Sequence, residues 1–106
     1  MATTLEFTNY VMEQLESDWE VTCRKMFGEY MVYVNQKPVI LICDNIPYVR
    51  KWDNIHHLMV DAEVGFPYHG AKEHYILDVD DRDFSLKVIK EVEKVALIPK
   101  KKPKKV

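Results

Sequence analysis

Three glycines and two cysteines are all that this chain of 106 residues contains, and neither type is spaced for chemistry. Without a glycine-rich run there is no loop to cradle a phosphate and no dinucleotide fingerprint. Cys23 and Cys43 form no CxxC pair and no metal-type spacing. Each falls inside a predicted strand, so both read as small, reduced, buried hydrophobes. Reduced thiols suit a cytoplasmic protein. No apolar run reaches membrane-spanning length, and the N-terminus has no basic region followed by an apolar stretch. The expectation is a cytoplasmic chain with no membrane association. No Ser-His-Asp or Cys-His arrangement is specified by a local motif. His56 and His57 would lie about 100° apart on a helix and could not reach one ion. His69 and His74 flank a loop and a strand start, and no cysteine or carboxylate completes a zinc spacing. They read as solvated surface residues. No catalytic residue, cofactor or metal is expected, and the chain does not read as an enzyme.

What is present describes a folded domain. Hydrophobic residues make up 47% and charged residues 30% of the chain, which separates it from disordered sequences. Its length suits one domain with a single core. The net charge of −2 hides an asymmetry. Lys100, Lys101, Lys102, Lys104 and Lys105 form a basic tail, while all 17 acidic residues precede it. Setting those five aside leaves residues 1–99 with 10 of the 15 basic residues and a net charge of −7. A body this acidic repels phosphate backbones, so nucleic-acid binding by residues 1–99 is disfavoured. The expected organisation is a domain over 1–99 and a flexible, solvated tail over 100–106. The tail resembles a short nuclear-import or nucleic-acid-binding segment. The alternative functional reading is accordingly a small nucleic-acid-associated regulator that binds through those lysines.

Periodicity gives the order α-β-β-β-β-α-β-α. Thr3 to Ser17 reads as a helix with capping-box spacing from Thr3 to Glu6 and an apolar face of Phe7, Tyr10, Val11 and Leu15. Val21 to Phe27 and Glu29 to Val34 alternate as strands about Gly28, where a bulge or tight turn is expected. Asn35-Gln36-Lys37 lacks the glycine of the best two-residue turns, so a slightly longer loop is predicted there. Pro38 opens a third strand, Val39 to Cys43, apolar on both faces. Asp44-Asn45 makes a turn, and Ile46 to Lys51 a fourth strand that begins at or after Pro47 or lies at an edge. Asp53 caps a predicted second helix with Ile55, Leu58, Met59 and Ala62 on one face and Gly65 at its end. Glu73 to Val79 is the fifth strand. Asp80, Asp81 and Asp83 start a last helix whose buried stripe is Phe84, Val88, Val92, Val95 and Ala96. Together these predict an α+β, two-layer fold: a mostly antiparallel five-stranded sheet with helices packed on one face.

The tyrosines supply the interaction hypothesis. Tyr30, Tyr33, Tyr48, Tyr68 and Tyr75 all fall in the sheet or its loops, where half-buried packing would account for them. An apolar sheet face left uncovered is also a docking surface. Tyr33 and Tyr48 are the candidate contacts, with a protein partner or a second copy as the occupant.

At Arg24-Lys25-Met26-Phe27-Gly28-Glu29-Tyr30 the chain resembles the N-terminal domain of the TfoX (Sxy) family of bacterial competence regulators. That pattern is a helix, then an Arg-Met-Phe-Gly-Gly-Tyr-Gly-like strand pair. A strand, an Asp-Gly turn and a Leu-Tyr-Lys-like strand follow, here Val39 to Cys43, Asp44-Asn45 and Tyr48-Val49-Arg50-Lys51. Phe66-Pro67-Tyr68 is similar to the family's Pro-Phe-x-Tyr-like loop, with the first two residues exchanged. The likeness runs nearly to Pro99. It departs at Glu29, where the family has its second glycine, at Met31, and in the absence of the family's helical C-terminal domain. The resemblance implies a secretion-chaperone-like α+β fold, no catalytic residues, and a regulatory or protein-interaction role linked to transcription of competence-type genes.

Overall fold

A computed structural model describes residues 3–16 and 18–97. Its elements are α1 (Leu5–Gln14), β1 (Val21–Met26), β2 (Glu29–Val34), β3 (Lys37–Cys43), β4 (Ile46–Val49), β5 (Val64–Gly65), β6 (His74–Ile76) and α2 (Arg82–Val95), with a 3-10 turn at Asp53–Ile55. The strands form one antiparallel sheet in the order β1-β2-β3-β4-β6-β5. The class is α+β, as the sequence pattern requires, but the sheet has six strands where five were predicted, and two α-helices where three were predicted. The lysine tail, Ser17 and Pro99 lie outside the described residues. Among the described residues no helix is long and apolar enough to cross a membrane.

Three consecutive two-residue turns build the first four strands. The pairs Met26–Glu29, Val34–Lys37 and Cys43–Ile46 close them. The central residues all have positive φ: Phe27 and Gly28 (53° and 83°), Asn35 and Gln36 (51° and 70°), Asp44 and Asn45 (52° and 59°). That is the geometry whose twist matches the flanking strands. Asparagine and aspartate tolerate the left-handed region through local hydrogen bonding. This overturns the longer loop predicted at 35–37: Asn35 takes the strained position and its Oδ1 accepts from Glu20 N at 3.0 Å, so no glycine is needed. The first strand correspondingly stops at Met26, one residue early, because Phe27 belongs to the turn.

The helix boundaries shift for similar local reasons. Thr4, not Thr3, caps α1, its hydroxyl accepting from Phe7 N at 3.2 Å. Thr3 is buried and employed elsewhere: its hydroxyl donates to Ile42 O at 2.9 Å. Asp81 caps α2, accepting from Phe84 N at 3.1 Å. The predicted second helix is replaced by the 3-10 turn and further turns. Trp52 at its cap position makes no side-chain bond, and the Asn54 amide donates to Glu91 O at 2.8 Å instead of staying solvated. Ile55 and Met59 nevertheless reach the core. Gly65 does not end a helix; it lies in β5 and pairs with His74. Pro47 sits inside an interior strand, contrary to expectation. The β4–β6 ladder pairs only Tyr48 and Val49, so the missing amide falls at that ladder's end, where Pro47 O accepts from Leu77 N at 2.9 Å.

Registers assign the two faces, since paired residues project to the same side. One face carries Val21, Cys23, Tyr30, Val32, Val34, Ile40, Ile42, Val49 and Tyr75. Most of these form one cluster with Val11 and Leu15 of α1 and Val88, Ile89 and Val92 of α2. Both helices therefore cover this face, and the core lies between. The opposite face carries Thr22, Arg24, Met31, Tyr33, Leu41, Cys43, Tyr48, His74 and Ile76. A bulge at the Val32/Tyr33 step leaves Val39 as the extra residue of β3, and both Val39 and Ile40 are buried. The two-sided apolar character of β3 thus arises partly from the bulge and partly from what lies on its far side.

Candidate functional site

The open face forms a groove of about 630 Å³ along β3 and β4. Its floor is Met31, Leu41 and Tyr48, which the registers place in one row across three strands. Trp52, Tyr68, Gly70, Ala71, Lys72 and Val95 to Leu97, at and beyond the end of α2, also line it. Such a volume, mostly apolar with a few polar groups, falls within the usual range for recognition sites.

Tyr48 is the centre of the site. It is 7% exposed yet stands outside the core cluster, because it packs on the side away from the helices. Its ring lies toward β5, and Gly65 makes room for it. A Cβ built on Gly65 would stand 3.2 Å from Tyr48 Cε1 and 3.5 Å from its hydroxyl. His74 meets the Tyr48 ring edge-on, with centroids 6.3 Å apart, and its Nδ1 donates to Lys72 O at 2.7 Å, which fixes the imidazole. Burial, with smaller contributions from Cys43 and Asp44, pushes the Tyr48 phenol above its ordinary range. The Tyr48 hydroxyl makes no hydrogen bond to any described residue. It is therefore a protonated donor at neutral pH, held at the groove.

The charges are as unusual as the aromatic content. No aspartate or glutamate lines the groove, although the chain has 17. The basic residues that line it are Arg50, whose guanidinium stacks on Trp52 at 4.8 Å, and Lys72. Neither makes an ion pair among the described residues, whereas Lys37 pairs with Glu93, Lys51 with Glu73 and Lys94 with Glu91.

Of the predicted contact residues, Tyr48 lies at the groove's centre. Tyr33 is half-buried on the same face, two residues along β2 from Met31 and outside the lining. Tyr30 and Tyr75 do not join them: they project to the helix-covered face, where Tyr75 bonds to His56 Nδ1. The exposed tyrosine of the groove is Tyr68, 61% accessible. Arg50, Trp52, Lys72 and Leu97 were not singled out from the sequence, and His74, read there as a solvated surface residue, is half-buried in β6. A two-residue alternation in Tyr48-Val49-Arg50 carried part of that signal; the rest arrives from a loop and a chain end.

Gly28 has φ 83° and forms the β1–β2 turn with Phe27, whose side chain is fully exposed. Glu29, where the resemblance departs from its family, has a definite task. Its Oε1 accepts from Thr3 N at 3.0 Å, from the Thr3 hydroxyl and from Asp44 N at 3.1 Å. One carboxylate thereby ties the start of α1 to the β3–β4 turn, which a glycine could not do.

The remaining candidates hold less. A second cleft, between the 57–63 segment and the start of α2, is ringed by Asp61, Glu63, Asp78, Asp80 and Asp81. Asp80 accepts from the Tyr10 hydroxyl, Asp78 Oδ1 from Asp80 N, and Asp81 caps α2. His56 is placed between Asp53 and Tyr75. Among the described residues no three His, Cys, Asp or Glu side chains are grouped to hold a metal ion. Cys23 and Cys43 are free thiols, and burial pushes Cys43 up to about 11, so it stays protonated at neutral pH.

Comparison with known proteins adds a family without a chemistry. An uncharacterized 12.7 kDa protein in the trpE 5' region of Spirochaeta aurantia is 35% identical over 78 residues, covering 74% of this chain and 68% of that protein. The chain belongs to the family of that spirochaete protein. No family model matches the sequence, and no solved structure matches it.

Proposed function

We propose that the protein is a non-enzymatic regulatory module of the TfoX N-terminal type, which acts by binding a protein partner through the open face of its sheet. The observation that carries this reading is the groove around Tyr48. A sheet face with helices on one side only is normally polar on the other. Here the far side holds Met31, Leu41, Tyr48 and Tyr68 in a concave surface with an unpartnered hydroxyl. The order of elements up to α2 and the Met26-Phe27-Gly28 turn support kinship with the competence regulators and their secretion-chaperone-like fold. A link to transcription of competence-type genes follows from that kinship alone.

Selection of displayed random peptides on the wild-type protein, counter-selected on Leu41→Lys and Tyr68→Ser, tests the reading. Clones that bind wild type at least about tenfold better than either variant are expected, since a central contact typically carries more than 1.4 kcal/mol. If selection returns only clones indifferent to both substitutions, the open face is not the working surface. Light scattering on the same proteins separates a hetero-partner from a second copy: a dimer that Leu41→Lys dissociates would make the groove a homodimer contact.

A further inference from the structure

The groove's charge specifies the kind of partner it accepts. Three of the described cations, Lys37, Lys51 and Lys94, pair with carboxylates. Arg50 and Lys72 do not, and they line a groove that lacks any acidic side chain. The stacking of Arg50 on Trp52 orients the guanidinium plane without neutralising it. The third polar group is the Tyr48 hydroxyl, on a side chain more than nine-tenths buried and bonded to no described residue. As a phenol O–H it can donate to an acceptor on a ligand. Two cations and one donor, set among Met31, Leu41 and Tyr68, match a ligand that offers carboxylates beside apolar groups.

We propose that the groove recognises an extended segment of a partner protein in which acidic residues alternate with apolar ones. Its carboxylates meet Arg50, Lys72 and the Tyr48 hydroxyl, and its apolar side chains rest on Met31, Leu41 and Tyr68. An extended chain suits the site, since it presents alternate side chains to opposite sides and can offer acidic and apolar groups separately. A nucleic acid fits less well. Two cations neutralise few phosphates, and the body's net charge of −7 opposes a long polyanion. A short acidic peptide escapes most of that repulsion, because charges beyond about 8–10 Å are screened at physiological salt.

This inference rests on the partner-binding reading above, and the test separates the two. The probes are a labelled peptide of alternating Asp or Glu with Leu or Phe, the same peptide with lysine for each acid, a neutral serine version, and oligo-deoxythymidine. Fluorescence anisotropy is measured against the full chain and the Arg50→Gln/Lys72→Gln and Tyr48→Phe variants, each first checked for a native circular dichroism spectrum. The acidic peptide is expected to bind at least tenfold more tightly than the lysine and serine versions. It should lose that margin in Arg50→Gln/Lys72→Gln and about threefold in Tyr48→Phe, with affinity falling as salt rises. Equal binding of the serine version, or indifference to Arg50→Gln/Lys72→Gln, overturns the acidic specificity while leaving a groove that binds peptides. Tighter binding of the oligonucleotide than of every peptide overturns the proposal in favour of nucleic acid. Binding of no probe overturns it too; the selection on Leu41→Lys then decides whether the partner-binding reading survives.

Discussion

The two faces of the sheet bury residues in different ways and for different ends. On the helix-covered face Val32, Val34, Ile40, Ile42 and Val49 are fully enclosed with Val11, Leu15, Val88, Ile89 and Val92. On the open face Tyr48 and Cys43 are nearly as inaccessible, and Gly65 of β5 and the His74 ring pack against Tyr48. Burial on the first face is continuous and apolar. On the second it is local, around Tyr48 and Cys43. The first arrangement holds the fold; the second is the surface proposed above for partner binding.

The largest effect should come from breaking the covered face while sparing the open one. Ile40→Ala or Ile42→Ala should cost about 2–5 kcal/mol in denaturant unfolding, as for other enclosed branched residues. Their neighbour Leu41→Ala, half-buried over the groove, should cost less than half as much. Equal losses would mean the open face is as much a part of the core as the other.

Next comes the clamp that joins the faces at one end. Removing the Glu29 carboxylate as Glu29→Gly strips acceptors from Thr3 and Asp44, in part-buried and exposed bonds, and should cost about 1 kcal/mol. Hydrogen exchange should quicken at Thr3 and Asp44 while the β4–β6 amides stay protected. Uniform acceleration would assign Glu29 a global role instead.

Alkaline titration probes Cys43 on the open face. The folded chain holds the Cys43 thiol protonated up to about 11, against an ordinary value of 9.0. The unfolded chain gives up that proton first. The contribution is thus complete below pH 9 and lost as pH rises through 11, by up to about 3 kcal/mol. Cys43→Ala should flatten that part of the stability curve; if the slope persists, other groups titrate there.

The smallest change is at Gly65. Its φ is not left-handed, so alanine is acceptable to the backbone, but the new Cβ would meet Tyr48 Cε1 at 3.2 Å. Gly65→Ala should cost about 1 kcal/mol or less as overpacking. The sharper readout is a displaced Tyr48 ring resonance with unchanged signals from Val32 and Ile89. An unmoved Tyr48 would show that the open face can yield elsewhere.

Much of the covered face was legible because its signal is periodic. Alternation in Tyr75, Leu77 and Val79, and helical spacing in Val88 and Val92, follow directly from residues that must point inward. Ile55 and Met59 were also recognisable as core, although the segment carrying them is not a helix. Apolar spacing records which residues face the core, and several backbones satisfy the same spacing. Turn geometry was less legible: Asn35-Gln36 closes a two-residue turn without glycine because Glu20 supplies a bond from across the strand pair. Glu29 looked like a departure from pattern, and its purpose depends on Thr3 and Asp44, 26 and 15 positions away.

By itself the sequence determined the α+β class, the antiparallel hairpin run from β1 to β4, the acid-rich body and the inward residues of most elements. These rest on local propensity and on side-chain period, which act between near neighbours. Only the tertiary structure decided which tyrosines share a face, that β5 enters as a sixth strand beside β6, and that Arg50, Lys72 and Tyr48 converge in an acid-free groove. Those outcomes depend on strand register, where a one-residue slip exchanges the faces, and on loops whose destination no local period encodes.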